Sequence, residues 1–144
     1  TWEGDVEVLV LIGRVVFALL FLGSGFGHLT QRQMMAGYAT GKGVPAANLM
    51  VPLTGLQLLA GALMVALGIW PDVGALLLVT FLVPTAFIMH GFWAETDPGA
   101  KAMEQTQFLK DLALAGAALV MFAVFAYLGD DLGLVLVGPL FSLS

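Results

Sequence analysis

Four long, uninterrupted apolar runs dominate this chain: Val6 to Leu29, Leu49 to Trp70, Val73 to Trp93 and Phe108 to Leu128. Each is long enough to cross about 30 Å of hydrocarbon at about 1.5 Å per residue. Backbone in hydrocarbon must find its hydrogen-bond partners internally, which only helices and closed barrels achieve. The runs are rich in Leu, Ala, Gly and Met and lack two-residue alternation, so they read as helices. The expected fold class is an all-α membrane protein. It is a four-transmembrane-helix bundle over residues 1–144 as one domain, with helices near 6–29, 49–70, 73–93 and 108–128. The apolar segment from Leu132 to Ser144 is too short to span and is expected to pack back over one end of the bundle. Charged residues make up 10% of the chain, against about 25% in an ordinary globular domain, so lipid is the solvent that suits its surface.

The same composition excludes several functions. A net charge of -5 argues against nucleic-acid binding, which needs a basic footprint. With no cysteine there is no disulfide framework, thiol relay or iron–sulfur ligation. Glu3, Asp5 and Glu7 stand at the start of the first run, where a signal peptide would be positive, so that run is expected to be retained. Arg32 and Lys42 lie in the first connection, Lys101 and Lys110 at the third. The N-terminus, the Trp70-Pro71-Asp72 hairpin and the C-terminal end carry no Lys or Arg. The positive-inside rule therefore puts the first and third loops in the cytoplasm and both termini outside, in a bacterial or archaeal plasma membrane. Trp2, Trp70, Trp93 and Tyr127 stand near helix ends, as interfacial anchors do.

The first connection, Thr30 to Asn48, is polar and Gly-rich and reads as a loop. Asp97-Pro98-Gly99 reads as a turn in the third, with Thr96 or Asp97 capping a short lead into the last helix. Pro84 is expected to kink the third helix. Small residues at Gly23, Ser24 and Gly27, at Ala60 and Gly61, and at Ala113, Gly116 and Ala117 mark close helix contacts, within the bundle or between copies.

Polar residues at membrane depth are the informative ones, because a charge there costs roughly 2.5–3.5 kcal/mol on insertion scales. Arg14 shares a helical face with Glu7, which suits an internal salt bridge; alternatively Arg14 lines a polar cavity for an anionic or carbonyl ligand. Gln57 is placed as interhelical glue or as a ligand contact. His28 and His90 end the first and third helices. Two histidines are the minimum for haem b, or for a metal with help from Glu104 or Glu95. Interfacial histidines bonded to loops are commoner, so no metal is assigned and haem b is disfavoured. Glu104, Gln107 and Asp111 share one face at the start of the fourth helix, beside Lys110. His28, His90, Glu104, Gln107 and Asp111 are therefore expected to gather at one cytoplasmic vestibule, with Lys110 a further ligand-binding candidate beside them.

Gly13-Arg14, Leu19-Leu20-Phe21 and Gly25-Phe26-Gly27-His28-Leu29 together resemble the first helix of DoxX-family proteins. Gln107 to Gly116 resembles the opening of the family's fourth helix, with Asp111 where Asn is common. Gly138 to Ser144 resembles the family's tail, without its second glycine, basic residue and terminal acid. The resemblance implies a four-helix bundle engaged in membrane redox work. The best-known member is a subunit of thiosulfate:quinone oxidoreductase, and others are linked to oxidative-stress complexes or amine-dehydrogenase maturation. Eukaryotic relatives act as cargo receptors.

Three functions follow. In the first, a membrane subunit of a redox system binds a quinone headgroup in the polar vestibule, with His28 or His90 as donor and Glu104 or Asp111 relaying protons. Met34, Met35, Met50, Met89 and Phe92 would flank the isoprenoid tail, or simply contact lipid. Redox work would then need a partner subunit. In the second, the bundle is a non-catalytic anchor, assembly factor or cargo receptor that contacts partner proteins or forms a homo-oligomer. In the third, Arg14, Gln57 and Asp111 mark a small-solute path.

Overall fold

The computed structural model describes residues 2–144. For Trp2 it describes the backbone alone, so the anchoring expected of that side chain lies outside the described residues. Five α-helices follow in order: α1 (Trp2–Thr30), α2 (Arg32–Gly41), α3 (Ala47–Leu67), α4 (Pro71–Met89) and α5 (Pro98–Leu128). Four of them, α1, α3, α4 and α5, are long and apolar enough to cross a membrane. The protein is an all-α integral membrane protein, as its hydropathy requires.

The long helices pack in chain order, α1 on α3, α3 on α4 and α4 on α5. Their shared core is Ala18 and Phe21 from α1, Leu58, Ala62 and Val65 from α3, Ala75, Leu78 and Leu82 from α4, and Ala115 from α5. Alkyl side chains gain nothing by leaving lipid, so close packing decides which faces meet. Glycines provide it. A methyl at Gly25 would fall 2.9 Å from the Gly55 carbonyl oxygen, and one at Gly74 would fall 2.9 Å from that of Gly61. Gly61 was among the expected contacts. Gly23, Gly27 and Gly116 face open space instead, and Ala113 and Ala117 are exposed.

Several boundaries move for local reasons. α3 stops at Leu67 because Gly68 takes a left-handed conformation (φ 69°) and its N–H caps the carbonyl of Met64. Pro71 then opens α4, pre-set for a first helical position. α4 runs unbroken through Pro84 and ends at Met89, and residues 92–94 form a single 3₁₀ turn. α5 starts at Pro98, ten residues before the expected Phe108. There the Asp97 carboxylate accepts the Ala100 N–H at 2.8 Å, a side-chain N-cap.

The expected first loop contains a helix. Gly37 and Gly41 weaken helix propensity in α2, but burial of Ala36 and Ala39 against Ala47 and Val51 compensates. The bundle thus has two ends. One carries α2, the 3₁₀ turn and the start of α5; we call it the α2 end. The other carries the start of α1, the α3–α4 hairpin and the C-terminal tail; we call it the hairpin end.

The tail packs on the hairpin end as expected. Leu136 and Val137 donate to the Gly68 carbonyl at 3.0 and 2.8 Å, and Trp70 donates back to Val137 at 3.0 Å. Gly68 also has no room for a side chain, because a Cβ would lie 2.7 Å from Val135 Cα.

Candidate functional site

At the α2 end, His90 caps the C-terminus of α4 and faces the first turns of α5. Its Nδ1 lies 2.7 Å from Glu104 Oε2, the length of a charge-assisted hydrogen bond. Its Nε2 lies 3.7 Å from Asp111 Oδ2, too far for a direct hydrogen bond. Glu104 and Asp111 are seven residues apart on α5, so both carboxylates lie on the face turned to His90. Asp111 is buried, with its side chain 8% exposed. Lys110 Nζ stands 3.9 Å from its other oxygen and is also hydrogen-bonded to Gln107.

The first connection closes over this group. Tyr38 of α2 donates its hydroxyl to Glu104 at 3.2 Å. Lys42, at the end of α2, lies 3.4 Å from Glu95 and 3.8 Å from Glu104. Its ammonium also sits 5.6 Å from the centre of the Tyr38 ring. Burial pushes the Tyr38 hydroxyl above the ordinary phenol value, and Glu104 adds to the rise against the opposing charge of Lys42. Burial works against the Lys42 ammonium, but Tyr38, Glu104 and Glu95 outweigh it and hold its pKa above the ordinary lysine value. A group of packed rings flanks the site. Phe108 stacks edge-on against Phe87, Phe92 and Trp93 with centroids 5.1, 5.5 and 5.7 Å away.

Five of the eight expected residues therefore meet: His90, Glu104, Gln107, Lys110 and Asp111. Three do not. His28 turns its Nδ1 onto the Ser24 carbonyl of its own helix at 2.7 Å and packs edge-on against Phe81. Among the described residues no hydrogen bond or ion pair joins it to His90. Gln57 donates to the Leu77 carbonyl and the Thr80 hydroxyl, both at 2.9 Å, tying α3 to α4. Arg14 belongs to the hairpin end. Its guanidinium donates to the carbonyls of Val65 (3.0 Å), Ala66 (3.1 Å), Leu134 (2.8 Å) and Gly133 (3.4 Å).

The expected Arg14–Glu7 salt bridge is absent. Among the described residues no carboxylate lies within ion-pair reach of Arg14. Val65 and Ala66 sit in the last turn of α3, where unpaired carbonyls form the negative end of the helix dipole, and they balance the cation. Glu7 packs against Gly133 instead.

Tyr38, Lys42 and Asp72 were not singled out as site residues. Asp72 is fully buried and accepts the N–H groups of Leu140 (3.0 Å) and Phe141 (2.6 Å). An acid two residues into a membrane hairpin was the available signal for it. Tyr38 and Lys42 carried only the weak signal of an i, i+4 aromatic–cation pair. No group of three or more His, Cys, Asp or Glu suited to a metal occurs among the described residues. A cleft of about 790 Å³ opens at the hairpin end, lined by Glu3, Glu7, Asp130 and Asp131. None of the expected site residues lines it.

The model of the DoxX family matches residues 9–91. The chain belongs to the DoxX family. It is similar to the inner membrane protein YqjF of Escherichia coli (strain K12), 30% identical over 115 residues, which cover 80% of this chain and 82% of that protein. It is also similar to the inner membrane protein YphA of the same organism, 27% identical over 114 residues, 79% of this chain and 81% of that protein. No solved structure matches it. In this DoxX-family protein the matched stretch holds Arg14, His28, Gln57 and His90. Glu104, Gln107, Lys110 and Asp111 lie beyond it on α5.

Proposed function

We propose that this protein is a membrane subunit of a redox system and binds a quinone-type headgroup at His90 and Asp111. The observation that carries this is the 3.7 Å separation of His90 Nε2 and the buried Asp111 carboxyl. When Nδ1 donates to Glu104, Nε2 is the ring nitrogen left facing the Asp111 carboxyl, and a proton shared by the two would join them. Lys42 and Lys110 face Glu95, Glu104 and Asp111, so the group is one proton short of neutral. Neutrality is favoured at the low-dielectric end of a membrane bundle.

A donor and a buried acceptor this close suit a ligand carrying a carbonyl or hydroxyl oxygen. The carbonyl accepts from Nε2 and the hydroxyl donates to Asp111. Reduction of a quinone to a quinol consumes two electrons and two protons. A partner subunit supplies the electrons; His90 and Asp111 pass on the protons, replenished through Glu104 from the water side. The α2 end then faces the cytoplasm, in keeping with Arg32, Lys42, Lys101 and Lys110. Met35 of α2 and Met89 of α4 are half-buried against the contact of α2 with α3, where an isoprenoid tail would run.

The test is organic extraction and mass spectrometry of protein purified in mild detergent. Wild-type protein should retain quinone, and His90→Gln and Asp111→Asn should lose most of it. Equal quinone in all three, or none in any, would sink the proposal.

A second role, an anchor or assembly subunit for a partner protein, is favoured by the exposed small-residue face of α5 at Ala113, Gly116 and Ala117. A stable copurifying protein, lost on Gly116→Leu while quinone content is unchanged, would favour it. A solute path through Arg14 and Gln57 has less support, because both side chains are engaged by the bundle itself.

A further inference from the structure

The C-terminal segment is an anomaly in a membrane bundle. Residues 132–144 carry no charge and form no helix. Six of their apolar side chains, Leu134, Leu136, Val137, Leu140, Phe141 and Leu143, stand exposed, with Leu136 at 71% and Leu140 at 60%. Irregular backbone is tolerated at membrane depth only where protein groups satisfy it. Here the partners are supplied at intervals. Arg14 takes the carbonyls of Gly133 and Leu134, and Gly68 and Trp70 take the backbone of Leu136 and Val137. Asp72 takes the N–H groups of Leu140 and Phe141, and the Ala126 carbonyl takes that of Leu143 at 3.1 Å.

Arg14 and Asp72 are the two fully buried charges of the hairpin end; Asp72 bonds to this segment, and Arg14 divides its bonds between the segment and the last turn of α3. Water would solvate these backbone groups unaided; a segment lying in lipid needs such partners. The segment is also continuous with the membrane surface. It bonds directly to the end of α3, whose Leu63 and Leu67 are exposed, and to α5 near exposed Val124. Phe141 reaches along α5 to Phe122, with ring centroids 5.7 Å apart, below the end of that helix.

We propose that residues 132–144 form a membrane-embedded, non-helical strap whose outward side chains contact lipid acyl chains, with Arg14 and Asp72 serving as its backbone partners. The proposal is independent of any ligand at His90.

The chain has no cysteine, so single-cysteine spin labelling is clean. Labels at Leu136→Cys and Leu140→Cys are compared in lipid nanodiscs with Val120→Cys on the exposed face of α5 and with Asp131→Cys as a water reference. Lipid-soluble oxygen should reach the strap labels as it reaches Val120→Cys. A water-soluble nickel chelate should reach them an order of magnitude less than Asp131→Cys. Accessibility matching Asp131→Cys would overturn the proposal by placing the strap in water. Shielding from both agents would overturn it in favour of a covering protein or second copy. Adding Asp72→Ala to Leu140→Cys should raise label mobility and nickel access, and no change would remove Asp72 from its role. Should that variant fail to insert, Asp72→Asn asks the same question with the side chain's shape retained.

Discussion

Both ends of the bundle hold buried charges, but they treat them in opposite ways. At the hairpin end, Arg14 and Asp72 face backbone: four carbonyls for the cation, two N–H groups for the acid. At the α2 end, His90, Glu104, Asp111, Lys42 and Lys110 face one another. A charge bound to backbone can neither move its proton nor exchange its partner without unfolding something. Charges facing other titratable groups can do both, and the 3.7 Å gap at Asp111 leaves room for it. The first arrangement holds a fold together and the second suits chemistry, although hydropathy alone treats the two alike.

The sharpest way to break this contrast is Arg14→Met. It leaves four carbonyls without their donor and should cost at least about 1–3 kcal/mol, the penalty of leaving a buried acceptor unsatisfied. Equilibrium unfolding in mixed micelles reads it directly. Arg14→Lys keeps the charge but lacks the planar fork, and should recover only part of the loss. A near-neutral Arg14→Met would mean that the hairpin end is no more locked than the α2 end.

Next in size is Gln57→Leu, which removes a two-acceptor bond between α3 and α4. Interhelical hydrogen bonds in membranes average about 0.6 kcal/mol, so a loss near that value is expected in the same assay. Ligand content should stay at the wild-type level, since Gln57 lies outside the cluster.

Asp111→Asn should change stability by less than about 1 kcal/mol, and in either direction, because a buried carboxylate without a direct hydrogen bond contributes little to the fold. Its effect should fall on bound quinone instead. A destabilisation as large as that of Arg14→Met would place Asp111 in the structural class and undo the distinction.

The smallest effect is alkaline. The raised values at Lys42 and Tyr38 mean that the folded state holds both protons more tightly than the unfolded chain does. The stability they contribute is complete below the ordinary values, about 10, and is lost as pH rises through the elevated ones. Ultraviolet titration in a Tyr127→Phe background should show Tyr38 ionising above the ordinary phenol range, and Lys42→Met should raise it further. A midpoint at or below that range would detach α2 from the cluster.

Much of this was legible in advance. The four spans, the hairpin at Trp70-Pro71, the cap at Asp97 and the return of the tail all depend on local chemistry. The gathering of His90 with Glu104 and Asp111 was also legible, because a seven-residue spacing puts both acids on one helical face. α2 was not legible. Its two glycines and low hydropathy mimic a loop, and only contact with α3 stabilises it. Arg14 shares a helix face with Glu7, which made a salt bridge one of its two expected roles, whereas its acceptors lie 51 to 120 residues away.

Hydropathy is a sum over neighbouring residues, so the sequence by itself determined that this chain is a membrane bundle of four spanning helices. Which charge meets which partner depends on helix rotation and tilt. Those are set by where glycines let backbones touch, at Gly25 with Gly55 and at Gly61 with Gly74. Only the tertiary structure decided that Arg14 binds the tail, that His28 stays apart from His90, and that Asp111 is left beside a histidine with a gap between them.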